Sequence, residues 1–338
     1  MFDRIAIQRA AGACARSPVL SPFLRSFFRR RANIVYYHGV WGAGSTARLL
    51  FRGIDLETFR KDMQLLRRHF RPVSLDEVLR VNAGGDATRT PTVAVTFDDG
   101  SDLTKSGVTD LLDDLGIPAT TFVVSACVGN QHLMWQHKFS AIQGMRGDDR
   151  FVQEFNRLSE KIAPGSNIRS PAEQAAQTRH WRMERKDEYA DALWEACDMP
   201  PVGDFLREHQ PYVNWEDLKD WSRRGHRIGL HTRSHPFCSR LTATQIEAEI
   251  VEPARELRNR LGLTSVPFAY PFGDRLTRAQ EVDVAAMGQL SCLLGINGLS
   301  PRGTPPCHLE RARAEAGLDY SVFGHPLLDA VRSGRFFR

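Results

Sequence analysis

The chain has 338 residues, of which 42% are hydrophobic and 25% are charged, so one large domain or two small ones can form and overall intrinsic disorder is excluded. The net charge is +5, but no basic stripe with interleaved aromatic residues is present, so we expect no nucleic-acid partner. The excess positive charge indicates anionic surfaces or substrates. The six cysteines form no CxxC pair, which argues against a zinc ribbon and favours reduced thiols.

Residues 1–32 form a basic amphipathic segment in which apolar residues alternate with arginines. No continuous apolar stretch follows the basic start, so we expect neither a secretory signal nor a transmembrane helix. By default, this places the protein in the cytoplasm. Two interpretations of the segment stay open, namely a helix that packs its apolar side on the domain and a peripheral contact with a membrane surface.

Strands and helices alternate from residue 33 onward. The sequence predicts buried strands at 34–37, 92–97, 119–124, 227–230 and 266–270, and helices over 55–70, 103–115, 215–222 and 242–261. Thr242 and Gln245 form a capping box, and Pro253 should kink or split the helix that follows. This alternation predicts a parallel α/β barrel or sheet with its chemistry at the carboxyl ends of the strands.

The stretch 125–212 interrupts this alternation. It is polar, rich in Arg, Gln and Glu, and we predict a largely helical insertion rather than an independent domain. We expect three tryptophans to anchor it: Trp135, Trp181 and Trp194.

Four predicted strands end in reactive or special residues, namely His38, Asp98-Asp99, His231 and residues 271–273. Adjacent carboxylates repel each other unless a cation intervenes, although Asp-Gly is also common in ordinary turns. His231 and His235 lie four residues apart, a spacing that lets both imidazoles reach one metal from a helical turn but that also occurs in surface pairs. No Glu lies between them, so Asp98-Asp99 would have to provide a base and a third ligand.

These motifs resemble those of a known family. TFDDG at 96–100 and HTRSH at 231–235 resemble the first two motifs of the polysaccharide deacetylases, the NodB-homology carbohydrate esterases. YYHGV at 36–40 resembles the YHxV element of the branch that deacetylates poly-N-acetylglucosamine, FAYPFG at 268–273 resembles the third motif, and 309–311 also has a counterpart. The resemblance covers about 33–315 and is weakest over 125–212. It implies a distorted (β/α) barrel with a largely helical insertion, a catalytic domain over 33–320 and a C-terminal tail over 321–338.

The resemblance also implies the role of each site residue. The metal ligands would be Asp99, His231 and His235, and the metal would be zinc, with cobalt or nickel as alternatives. Asp98 would be the general base, and His38 the general acid, since the family's C-terminal Leu-x-His motif is absent. The N–H of Phe272, flanked by Tyr270 and Pro271 in the third motif, would hold the oxyanion. Where many members have the Arg that orients the base, this chain has Ala269, so another group must hold Asp98.

The implied reaction is metal-dependent hydrolysis of the N-acetyl group of an amino sugar, with release of acetate. Whether that sugar is polymeric or lipid-linked stays open, and so does the role of the three tryptophans, which could stack on sugars or anchor the core. A non-catalytic carbohydrate-binding protein with the same fold is the alternative. A non-haem iron oxygenase is disfavoured because the His pair is contiguous and the carboxylate follows a parallel strand.

Overall fold

The computed structural model describes residues 21–42, 45–85 and 89–315, together with the single positions 317, 318, 322 and 324. The predictions for residues 1–20 and for most of the 321–338 tail therefore lie outside the described residues.

Eight strands form one sheet, in which every neighbouring pair is parallel. They are β1 (Ile34–Tyr37), β2 (Thr92–Phe97), β3 (Ala119–Val123), β4 (Arg227–Leu230), β5 (Val266–Ala269), β6 (Leu290–Gly295), β7 (Leu309–Glu310) and β8 (Ala312–Arg313). Their order across the sheet is β7-β6-β5-β4-β3-β2-β1-β8. The two edge strands, β7 and β8, are joined by Arg311 alone, so the sheet curls into a nearly closed barrel, and the predicted fold class is confirmed.

Short strands lie around this barrel. They are Arg71–Pro72, which pairs with β2, Arg31–Ala32 with Ser300–Pro301, and Gly39–Trp41 with Gly53–Asp55. The α-helices are α1 (Ser21–Arg29), α2 (Leu56–His69), α3 (Leu75–Asn82), α4 (Val108–Leu115), α5 (Trp135–Arg146), α6 (Asp148–Ile162), α7 (Gln174–Gln177), α8 (Lys186–Ala196), α9 (Val202–His209), α10 (Trp215–Arg223), α11 (Ala243–Ile246), α12 (Glu252–Leu261) and α13 (Arg278–Ala286).

One helix begins later than the sequence predicts, and another is divided as the sequence predicts. The helix predicted over 103–115 begins only at Val108, because Gly107 has a left-handed backbone (φ 77°) that interrupts a helix. The helix predicted over 242–261 starts at the expected capping box and is divided as expected near Pro253, by a π-helical turn at Glu247–Val251. The carbonyl of Glu249 in this turn accepts the N–H of Arg233 at 2.9 Å, which ties the helix to the loop after β4.

The described part of the N-terminal segment packs on the domain. The Phe28 side chain is 1% exposed, and its ring centroid lies 4.7 Å from that of Phe70 on the end of α2. The burial of Phe28 supports the interpretation in which the N-terminal segment packs its apolar side on the domain. It does not support contact with a membrane surface. Among the described residues, no helix is long and apolar enough to cross a membrane.

The predicted insertion is largely helical and has an apolar core of its own. The rings of Phe155 and Trp181 stack within it, with their centroids 5.6 Å apart. Trp135, Trp181 and Trp194 are only 0%, 1% and 3% exposed. A sugar-stacking wall built from these three rings is therefore wrong, since buried indoles are unavailable to a sugar, and they anchor the core instead.

Candidate active site

A cleft of about 680 Å³ opens at the carboxyl ends of the barrel strands, between the barrel and the insertion. Seven of the predicted site residues line it: His38, Asp98, Asp99, His231, His235, Tyr270 and Phe272. Pro271, next to Tyr270 and Phe272 in the chain, is buried and is absent from the lining. The structure thus brings together side chains that lie more than 190 residues apart in the sequence.

Asp99, His231 and His235 form a compact buried cluster. Oδ1 of Asp99 lies 3.6 Å from Nε2 of His231 and 3.4 Å from Nε2 of His235, and the two Nε2 atoms are 3.3 Å apart. The predicted helical turn over 231–235 is wrong, because Thr232 and His235 both have left-handed backbones (φ 67° and 60°). The Thr232 hydroxyl accepts the N–H of His235 at 2.8 Å, and this loop, rather than a helix, makes the imidazoles converge.

The protonation of this cluster suits a divalent metal ion. Nδ1–H of His231 donates to the carbonyl of Ala269 at 2.7 Å, which leaves the Nε2 lone pair directed at the cluster. Burial lowers the pKa of both His231 and His235, so both imidazoles are neutral near pH 7. Oδ1 of Asp99 is buried without a hydrogen-bond partner among the described residues, which is costly unless a cation fills the space. One carboxylate and two imidazoles are a donor set that zinc accepts.

Asp98 is held by Arg311. Nη1 and Nη2 of Arg311 donate to Oδ1 and Oδ2 of Asp98 at 2.7 and 2.8 Å, and the guanidinium is 0% exposed. It also lies over the rings of Tyr36 and Phe122, 4.8 and 5.1 Å from their centroids. Arg311 thus orients Asp98, in place of the Arg that many family members have where this chain has Ala269. The sequence alone indicated the segment 309–311 but not the role of Arg311.

His38 is paired with Glu315, a residue that the sequence did not single out. Nδ1 of His38 lies 3.0 Å from Oε2 of Glu315, and the backbone N–H of His38 donates to Oε1 of the same carboxylate. Burial would lower the pKa of His38, but the Glu315 carboxylate outweighs it and raises this pKa to about 9. The imidazole is therefore protonated near pH 7. His308, by contrast, does not line the cleft and pairs with Glu281 at 2.9 Å.

A family model described as polysaccharide deacetylase matches residues 85–163 and 167–288, which is more than half of the chain. The chain belongs to the polysaccharide deacetylase family. The matched residues include Asp98, Asp99, His231 and His235, whereas His38, Arg311 and Glu315 lie outside them.

Two solved structures have the same fold as this family member. The Streptococcus pyogenes deacetylase PplD, solved in complex with acetate, is 14% identical, with a TM-score of 0.55 over 88% of this chain and 97% of its own. IcaB from Ammonifex degensii is 17% identical, with a TM-score of 0.51 over 85% of this chain and 94% of its own. No curated protein sequence gives a significant match.

The insertion of this polysaccharide deacetylase supplies contacts that the motifs do not predict. Nε2 of His137, on α5, lies 3.7 Å from Oδ2 of Asp99, and its Nδ1 lies 2.7 Å from the Tyr212 hydroxyl. Although burial would raise the pKa of Asp99, the hydrogen bond from His137 and the charge of His38 hold it well below its ordinary value. Nε1 of Trp135, two residues earlier, donates to the carbonyl of His235 at 2.9 Å. Only the three-dimensional packing reveals these contacts, since no motif contains the residues that make them.

The third motif also contributes to the lining of the cleft, through Tyr270 and Phe272. Phe272 has a left-handed backbone (φ 58°), and its ring centroid lies 4.8 Å from that of His235 and 4.3 Å from that of Phe237. The N–H of Tyr270 donates to the carbonyl of Leu294, which ties this motif to β6. The ring of Phe272 therefore lies against His235, one of the metal-ligand candidates.

Proposed function

We propose that this protein is a metal-dependent N-deacetylase that hydrolyses the acetamido group of an amino sugar in a polysaccharide or glycoconjugate. The observation that carries the proposal is the buried, unpartnered Oδ1 of Asp99 facing two neutral imidazoles, with the Arg311-held Asp98 beside it. Membership of the polysaccharide deacetylase family supports the reaction class. The similarity to PplD and IcaB supports the barrel on which the site is built.

The metal would be held by Asp99, His231 and His235, with zinc as the first choice and cobalt or nickel as substitutes. When bound, it supplies a Lewis acid that activates water and polarises the acetyl carbonyl. Asp98 accepts the proton of the attacking water, and Arg311 keeps this carboxylate in one orientation. The N–H of Phe272 binds the oxygen on which negative charge develops.

His38 completes the reaction as the general acid. Water attacks the acetyl carbon, the carbon–nitrogen bond breaks, and His38 donates its proton to the departing nitrogen, which leaves acetate and a free amine. Because Glu315 raises the pKa of His38 to about 9, the imidazole carries this proton at neutral pH.

An acetate-release assay on N-acetylated oligosaccharides, combined with metal analysis, tests the proposal. We expect Asp98→Asn to lower kcat/KM by about 10²–10⁴-fold, the usual contribution of general acid–base catalysis, with the metal content unchanged. His231→Ala should instead lose the metal. Chelation should abolish acetate release, and restoring zinc, cobalt or nickel identifies the metal that works.

The competing function is non-catalytic carbohydrate binding. Tight sugar binding by the metal-loaded protein, without acetate release from any oligosaccharide of the panel, would favour that alternative and refute the proposed deacetylase.

A further inference from the structure

Arginines surround the mouth of the cleft. Four of the residues that line it are Arg48, Arg52, Arg179 and Arg313. Arg179 pairs with Asp274 at 3.1 Å, and Arg313 pairs with Glu315 at 3.3 Å. Arg48 and Arg52 are exposed, and within the described part of the chain neither has a carboxylate partner.

The segment that carries these two arginines is anchored to the site. Phe51, between them, is 3% exposed, and its ring centroid lies 4.5 Å from that of His137. The carbonyl of Arg52 accepts the N–H of Gly39 at 2.9 Å, and Gly39 directly follows His38. The backbone of Arg52 is therefore fixed beside the general acid.

Arg48 lies in the short helical turn Thr46–Leu49, whose first residues are capped by Ser45. The next side chain, Leu49, packs so closely on α5 that a Cβ added at Gly144 would lie 2.9 Å from it. Both arginines thus project from a segment that is packed against the barrel and the insertion, at the opening between them.

The charges of the cleft do not cancel. Its only acidic lining residues among those described are Asp98 and Asp99. Asp98 is neutralised by Arg311, and Asp99 belongs to the metal-ligand cluster, so neither offsets the two exposed guanidinium groups. Arginine presents several N–H donors in a planar fork that matches phosphate and carboxylate oxygens.

On this basis, and resting on the proposed function, we propose that Arg48 and Arg52 form a subsite for an anionic group of the substrate. The substrate is then an N-acetylated glycan or glycoconjugate with a phosphate or carboxylate near the sugar that is deacetylated. The same positive charge would raise the rate of encounter with such a substrate at low salt.

The test compares acetate release from three N-acetylglucosamine oligosaccharides of equal length: one neutral, one containing a uronic acid and one carrying a phosphodiester. We expect the natural protein to favour one or both anionic forms, and the two forms distinguish a carboxylate from a phosphate. Arg48→Ala/Arg52→Ala should raise KM for the favoured form about tenfold, as expected for the loss of a charged bidentate contact, with kcat nearly unchanged. KM for the neutral form should not change.

Arg67→Ala/Arg68→Ala is the matched control, because it removes two exposed charges from α2 outside the cleft. It should leave all three KM values unchanged. The absence of any anionic preference, or an equal loss on the neutral form, would overturn the subsite while acetate release upheld the deacetylase. If none of the three released acetate, the deacetylase would fail, and calorimetric binding of the same oligosaccharides to both variants would still decide the subsite.

Discussion

The barrel edge and the helical insertion contribute to the same cleft in different ways. Groups from the barrel edge are charged and paired with each other, as Asp98 is with Arg311 and His38 with Glu315. The insertion is built around aromatic rings and touches the cluster through the imidazole of His137 and an indole N–H. The barrel thus provides the proposed reacting groups together with their ionic partners, whereas the insertion contacts Asp99 and His235 of the cluster.

The largest effect is expected at the Arg311–Asp98 pair on the barrel side. Arg311→Ala would leave a buried carboxylate without its partner, which should lower the free energy of unfolding by about 3–5 kcal/mol and remove the orientation of the base. Urea unfolding and acetate release measure the two effects.

A double variant separates stability from catalysis at this pair. Arg311→Met/Asp98→Asn should recover most of the stability, because no charge stays buried, but none of the activity. Unfolding of Arg311→Ala at the same urea concentration as the natural protein would show that the pair does not hold this side of the site.

The sequence predicts the barrel side of the site far better than the insertion side. A buried strand followed at once by Asp98, or by His231, is a local pattern that fixes both the strand and the end at which its side chains emerge. Arg311 and Glu315 lack such a signal, since their roles depend on the chain returning to β1 and β2 after more than 200 residues. The insertion was predicted as helical from composition, but contacts such as His137 with Asp99 depend on tertiary packing.

An intermediate effect is expected at His137, on the insertion side. The Tyr212 hydroxyl accepts the N–H of Met134 at 3.1 Å, so its own hydrogen can donate to Nδ1 of His137, which directs Nε2–H at Asp99. His137→Ala should therefore weaken zinc binding about 10–100-fold, measured by competition with a chelator.

His137→Gln is the matched variant, because its amide N–H can take the place of Nε2–H, and it should retain most of the affinity. Saturating zinc should restore kcat in the alanine variant. Equal zinc affinity in both variants and in the natural protein would mean that the insertion does not support the metal site.

The smallest effect is expected at Glu315 and concerns pH. The proposed general acid His38 must be protonated, so kcat/KM should be lost on the alkaline side of the pH profile, as pH rises through the raised pKa of about 9. In Glu315→Gln the carboxylate no longer opposes burial, and the loss of kcat/KM should move to lower pH.

The free energy of unfolding should depend on pH in the same direction, and decrease as pH rises. The His38–Glu315 contribution is fully present below the unfolded pKa of His38, roughly 6.5, and disappears as pH rises through about 9. Glu315→Gln should abolish that pH dependence in urea unfolding. A kcat/KM profile that does not move would assign the acid role to a group other than His38.

Arg311 is also the single residue between β7 and β8, the strands at the two ends of the sheet. Pairing of β7 and β8 with their neighbouring strands therefore closes the barrel and, at the same time, places the Arg311 guanidinium beside Asp98. A molecule in which β7 and β8 are detached keeps Asp99, His231 and His235, which follow β2 and β4, but loses the partner of Asp98. The orientation of Asp98 therefore depends on complete folding of the barrel, because Arg311 reaches Asp98 only when β7 and β8 are in place.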